Sequence, residues 1–198
     1  MFVTVDRLLL PLAIAGALLS TACGDDDGGG SSAGLNNDAD RTVYPEGPYG
    51  AQTNQVFPNL TFSQADGTPV DIASIRQDPA NRVLFINTAA FWCGACIEEQ
   101  PAIAALYNDF ARAGLEVLVT VFEKEDGTPA DVADASRWQT AYSVPFPVVA
   151  DPAGVLTGYY DPTLSPLNIL IDLSSMKVIY RSQGADVDAI RQFVDALL

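Results

Sequence analysis

The sequence predicts an α/β sandwich built on a mixed sheet, and three observations carry that expectation. Short, predominantly apolar runs recur at Val83-Leu84-Phe85-Ile86 and Leu115 to Phe122, as in strands covered on both faces. Segments with apolar residues at three- and four-residue spacing separate them, as in helices packed on a sheet. Two more apolar runs, Asn168 to Asp172 and Lys177 to Arg181, flank Leu173-Ser174-Ser175, as in an antiparallel hairpin.

In chain order, Val56 to Phe62, the turn Asp66-Gly67-Thr68, and Val70 with Ile72 predict an N-terminal hairpin. Val83 to Thr88 is a central strand. Cys93 to Ala113 reads as one helix, from Ile97, Ile103, Ala104, Leu106, Tyr107 and Phe110; Pro101 should kink it and Gly114 should cap its end. Leu115 to Phe122 is a second strand and Lys124 to Thr128 a turn. Ala130 to Tyr142 is a helix with Trp138 on its apolar side. Phe146 to Ala150 is a short strand, and Asp151-Pro152 opens a further helix of about two turns. After the hairpin, Asp186 to Leu198 is a closing amphipathic helix. Strand, helix, strand, helix, strand, strand, helix is the order of an α/β sandwich.

Composition narrows the function. The 198 residues are 48% hydrophobic, enough for one domain with appendages. No histidine occurs, so histidine triads and histidine metal sites are excluded. The net charge of −15 argues against nucleic-acid binding and against polybasic contact with anionic lipid. Three cysteines, Cys23, Cys93 and Cys96, cannot staple a scaffold.

Residues 1–22 read as an export signal: Arg7, then an apolar stretch from Leu8 to Leu19 that is too short to span a bilayer. Leu19-Ser20-Thr21-Ala22-Cys23 resembles the lipobox of bacterial lipoproteins, although Ser20 stands where leucine is usual. That resemblance implies lipidation at Cys23; the alternative is an ordinary secretory signal with a stray thiol. Residues 23–48, rich in Asp, Gly and Ser at the start, read as a flexible tether, with the folded domain over 49–198.

The chemistry concentrates in Phe91-Trp92-Cys93-Gly94-Ala95-Cys96, where a strand hands over to a helix. An N-terminal helix position favours negative charge, so the Cys93 thiolate should be stabilised and its sulfur exposed to attack a disulfide. Cys96, one turn on, would then resolve the mixed disulfide. A structural bridge and half of a zinc site are the bland alternatives; zinc lacks further ligands here.

Val83 to Pro101 resembles the thioredoxin superfamily, and within it the extracytoplasmic TlpA/ResA-like redoxin branch. Trp92-Cys93-x-x-Cys96 followed by Glu99-Gln100-Pro101 matches its motif, and Ser165-Pro166-Leu167-Asn168-Ile169-Leu170-Ile171-Asp172 matches its cis-proline loop. The resemblance covers residues 50–198 and implies a thioredoxin-like three-layer sandwich. It also implies a thiol–disulfide oxidoreductase, a reductase by analogy, that needs no cofactor. Its partners would be protein disulfides or thiols and a membrane electron donor. Glu99 would take the proton of Cys96. Pro166 in cis would rest against the disulfide, with Trp92 and the backbone of Ser165 shaping the substrate groove. Asn87 replaces the buried aspartate of thioredoxins proper, and Ala95 their motif proline. A peroxiredoxin-like peroxidase is the nearest rival, suggested by Pro145 to Pro152; its reactive cysteine usually follows a threonine by three residues, and Ala90 stands there. A non-catalytic binding module is the second rival.

Overall fold

The computed structural model describes residues 40–198. The signal, Cys23 and most of the tether lie outside the described residues. Twelve regular elements follow in order: β1 (Thr61–Gln64), β2 (Pro69–Asp71), α1 (Ile72–Gln77), β3 (Val83–Ala90), α2 (Gly94–Glu98), α3 (Gln100–Phe110), β4 (Leu115–Glu123), α4 (Val132–Tyr142), β5 (Val148–Ala150), β6 (Leu167–Asp172), β7 (Lys177–Gln183) and α5 (Val187–Leu197).

The strands form one mixed sheet in the order β2-β1-β5-β4-β3-β6-β7. β3 runs parallel to β4 and antiparallel to β6, and all eight of its residues are buried. Alternate side chains of β3 go to opposite faces, as the pleat requires. Val83 and Phe85 join Ile103 and Leu106 of α3, Trp138 of α4 and Ile190 and Val194 of α5. Leu84 and Ile86 join Phe57, Phe62, Ile72 of α1 and Met176 on the other face. This is the three-layer arrangement expected. In α5 the buried residues Val187, Ile190 and Val194 recur at helical spacing, so one stripe closes the first core.

Three local features differ from the sequence expectation. Ile72 opens a helix instead of ending a hairpin arm, because the Asp71 carboxylate accepts from the Ser74 N–H and caps it. The stretch 93–113 is not one helix: α2 ends at Glu98, Glu99 caps it, α3 begins at Gln100, and Ala111–Ala113 tightens into a 3₁₀ turn. Pro101 has no N–H to give to a continuous ladder, so the chain restarts there. No two-turn α-helix follows Asp151. Its carboxylate accepts instead from the N–H groups of Val155 (2.8 Å) and Leu156 (3.1 Å), and only 3₁₀ turns form, at Thr157–Tyr159 and Pro162–Leu164. Gly114 does end the helical stretch, at φ 108°, where an added Cβ would lie 3.0 Å from the Ala80 carbonyl oxygen.

Packing also starts earlier than Tyr49. Arg76 is 2% exposed, and its guanidinium donates to the backbone oxygens of Asp40 (2.9 Å), Val43 (3.2 Å) and Ser174 (3.2 Å). Arg41 reaches back to the carbonyls of Arg76 and Asp78, and the Tyr44 hydroxyl donates to Phe57 O. Hydropathy misses such a segment because charged groups, not apolar ones, hold it. Residues 54–57 then pair with the outer edge of β7, as in Asn54 N–H to Val178 O (2.8 Å) and Phe57 N–H to Met176 O (2.7 Å). Arg76→Ala should lower unfolding stability by about 2 kcal/mol, since three carbonyl partners lose a charged donor. Urea unfolding reads the stability, and limited proteolysis should show cleavage between residues 40 and 48 that the parent protein resists.

Candidate active site

Cys93 and Cys96 lie where β3 ends, and they form a disulfide with an S–S distance of 2.07 Å and a Cα–Cα distance of 5.3 Å. Cys93 is the N-cap of α2, and its Sγ accepts the Cys96 N–H at 3.1 Å. A helix of five residues has a modest dipole, so this direct N–H is the main local stabiliser of negative charge on Cys93. Cys93 is only 5% exposed, less than the sequence suggested, and Cys96 is fully buried. Access to the pair is therefore through Cys93.

The second wall comes from the chain entering β6. The Ser165–Pro166 peptide is cis, and Cys93 Sγ lies 3.7 Å from the Ser165 carbonyl oxygen. Three bonds fix this loop: Leu167 N–H to Thr88 Oγ1 (2.8 Å), Gly184 N–H to Pro166 O (2.8 Å) and Ser165 N–H to Pro162 O (3.2 Å). The last one matters for recognition. The Ser165 N–H is already used inside its own turn, so only the carbonyl is available to an incoming strand. Ser165 thus offers a single backbone acceptor beside the sulfur.

Trp92 is 42% exposed and held in place. Its Nε1–H donates to Glu123 Oε2 at 2.8 Å, and its ring packs edge-on against Phe122. Glu123, the last residue of β4, had no signal in the sequence that tied it to Trp92. Behind Trp92, the Phe91 ring carries the Arg137 guanidinium at 3.7 Å from its centroid and meets the Trp138 ring at its edge.

Glu99 sits at the junction of α2 and α3 and is 5% exposed. Beneath it the interior is polar. Asn87 Nδ2 donates to Glu99 Oε1 (2.6 Å) and to Asn168 Oδ1 (2.8 Å), and Gln100 Nε2 donates to Cys96 O (2.9 Å). Glu99 Oε2 is buried without a hydrogen-bond partner. Burial pushes the carboxyl up to about 7; the amide bond from Asn87 opposes this, and the nearby Asp186 adds to it. Asn87 and Asn168 are register partners on β3 and β6. The alternation of β3 puts Asn87 on the face of Val83 and Phe85, a signal that could have linked it to the helix above.

Chemically, the arrangement offers a sulfur reached from one side, a second sulfur behind it, a backbone acceptor alongside, and a buried carboxyl able to change protonation near neutrality. A family model described as the AhpC/TSA family matches residues 53–182. The chain belongs to the AhpC/TSA family. Among curated relatives, it is 26% identical over 116 residues to the thiol-disulfide oxidoreductase ResA of Bacillus subtilis strain 168, a match over 58% of this chain and 59% of that protein. The chain thus matches less than two thirds of that relative's length.

Two solved structures show the same fold. One, from Chlorobium tepidum and described as a thiol:disulfide interchange protein DsbE, has a TM-score of 0.61 at 22% identity, over 74% of this chain and 99% of that one. The other, the pneumococcal exposed lipoprotein thioredoxin Etrx1, has a TM-score of 0.56 at 22% identity, over 71% of this chain and all of that one. The fold of this family member is therefore thioredoxin-like, as the sequence implied.

The Glu99 carboxyl makes a stability prediction. Its folded value, about 7, exceeds the unfolded value of 4.5, so the native state binds more protons between them. Stability should therefore fall as pH rises from about 4.5 to about 7, by an amount on the order of 3 kcal/mol from this group. Glu99→Gln should flatten that part of the pH–stability curve and leave the protein more stable than the parent above pH 7. Urea unfolding of the oxidised protein at several pH values reads both effects.

Proposed function

We propose that the protein is a thiol–disulfide oxidoreductase that reduces protein disulfides on the extracytoplasmic side of a membrane, held there by a lipid on Cys23. The observation that supports the chemistry best is the placement of Cys93 Sγ between the Cys96 N–H (3.1 Å) and the Ser165 carbonyl (3.7 Å), with Cys96 buried behind it.

In the reduced protein, the Cys93 thiolate attacks one sulfur of a substrate disulfide. A bond forms between Cys93 and that sulfur, the substrate S–S bond breaks, and the electron pair leaves on the other substrate sulfur. Cys96 gives its proton to the Glu99 carboxylate. The resulting thiolate attacks Cys93, closes the Cys93–Cys96 disulfide and releases the second substrate thiolate. Two electrons have passed to the substrate, whose thiolates take protons from water. The protein ends in the oxidised state, and a membrane donor of two electrons must restore it. A carboxyl with a value of about 7 suits this role, since it can both accept and release a proton at neutral pH.

Trp92, fixed by Glu123, and the Ser165 carbonyl would form the two sides of the substrate groove. With one backbone acceptor, substrate pairing would make few sequence demands. The direction and the membrane donor rest on the resemblance to the extracytoplasmic branch. The anchor rests on the sequence around Cys23, and Etrx1 is an exposed lipoprotein by name.

Mixed-disulfide trapping tests the proposal. Cys96→Ser should accumulate a covalent Cys93–substrate adduct that dithiothreitol releases, and Cys93→Ser should lose turnover by at least about 100-fold. Glu99→Gln should slow the closing step by about 100-fold at neutral pH, with mixed-disulfide formation little changed. If Cys96→Ser traps no substrate from an envelope extract, and the parent protein reduces no disulfide, the oxidoreductase reading fails. A peroxidase would instead consume hydrogen peroxide at a rate the parent protein should not show.

A further inference from the structure

We propose that Thr88 is a positioning residue: its hydroxyl ties the loop before β6 to the strand that leads to Cys93, and so sets where the Ser165 carbonyl stands for an incoming substrate segment. The use of that carbonyl rests on the oxidoreductase reading; its placement does not.

β3 and β6 are in register from Val83–Asp172 to Asn87–Asn168, and the pairing stops there. β3 runs on to Ala90 beside β4, and β6 begins one residue earlier, at Leu167. The next residue on each strand, Thr88 and Leu167, meet through a side chain. The Leu167 N–H donates to Thr88 Oγ1 at 2.8 Å. A hydroxyl thus accepts where an antiparallel ladder would use a backbone carbonyl, and the two chains part beyond it.

Thr88 is 1% exposed, and it alternates onto the face of β3 that Leu84 and Ile86 share with Phe57, Ile72 and Met176. Valine would fill the same volume in that apolar layer with no polar atom to satisfy. A threonine there is explained by its hydroxyl, and the Leu167 N–H is the group that hydroxyl serves.

The ties of the loop divide by destination. The Pro166 carbonyl accepts the Gly184 N–H (2.8 Å), just after β7. The Ser165 N–H (3.2 Å) and hydroxyl (2.7 Å) both donate to Pro162 O, within the loop's own turn. Of these bonds, only the one from Leu167 reaches β3. Cys93 is fastened to that same strand, since its N–H donates to Ala90 O at 3.0 Å. β3 therefore holds the sulfur through Ala90 and the loop through Thr88, and Cys93 Sγ stands 3.7 Å from Ser165 O. Without the hydroxyl, the buried Leu167 N–H loses its acceptor, which costs about 1–3 kcal/mol unless the chain moves to find another. The loop would keep its ties to β7 and to its own turn and shift with them, away from its setting on β3. A peptide that gives an N–H to Ser165 O would feel that shift as lost pairing. A small disulfide without a backbone amide has no such pairing to lose.

The test compares Thr88→Val, which keeps the shape and removes the hydroxyl, with Thr88→Ser, which keeps the hydroxyl. The reduced proteins are assayed on a disulfide-linked peptide dimer and on hydroxyethyl disulfide. In Thr88→Val, kcat/KM for the peptide should fall at least about fivefold relative to that for the small disulfide, chiefly through KM. Thr88→Ser should restore the parent ratio. A second readout needs no turnover: in a crystal structure of oxidised Thr88→Val, the distance from Cys93 Sγ to Ser165 O should differ from the parent's by at least about 0.5 Å. If Thr88→Val does not fold, Thr88→Ala takes its place with the same expectations. Equal losses on both substrates, an unchanged ratio, or an unmoved Ser165 carbonyl would each overturn the proposal. A parent protein that reduces neither disulfide would sink the oxidoreductase reading instead, and the crystal structure would still decide the placement.

Discussion

The antiparallel pairing of β3 with β6 is the constraint on which the rest of the site depends. It brings the loop after one strand against the loop before the other, so Cys93 meets Ser165 although 72 positions separate them. The same register sets Asn87 opposite Asn168, one layer below. Sheet hydrogen bonds thus determine both the sulfur's neighbours and the polar floor beneath it. A slip of one residue would send Asn87 to the opposite face and remove the partner of Glu99.

The polar floor sets stability against chemistry. Asn87, Glu99, Gln100 and Asn168 are buried in a region that could have been apolar, and the hydrogen bonds among them offset only part of the cost. One Glu99 oxygen and one Gln100 oxygen remain unpartnered. The fold tolerates this because two apolar cores flank it, one under α3, α4 and α5 and one under α1 and residues 51–62. A fully paired carboxylate here would be steadier, and it would also hold its charge at neutral pH and be a poorer proton carrier. Sites of altered protonation commonly stand at such compromises.

Strand and helix order was readable because periodicity is local. The runs at Val83 and Leu115, the amphipathic stripe of α5 and the capping glycine at Gly114 are visible in any window of a few residues. The Cys93–Cys96 pair and the proline at Pro166 were readable as motifs. What escaped the sequence is what depends on distant partners. Arg76 holds residues 40–44 through carbonyls, which carry no residue identity. The break at Glu99 needed the site's own geometry, and the contacts of Glu123 with Trp92 and of Asp186 with Tyr180 join elements far apart in the chain. Asp151 looked like a helix start because aspartate before proline often is one; two bonds to its own loop decided otherwise.

The account stands or falls on unequal sulfurs. The direct measurement is the rate of iodoacetamide alkylation of Cys93 and Cys96 in the freshly reduced protein, resolved by mass spectrometry across pH. Cys93 should react first, and with a midpoint clearly below the value of about 8.5 for free cysteine, while Cys96 stays protected at neutral pH. Equal rates for the two, or a Cys93 midpoint at that of free cysteine, would contradict it.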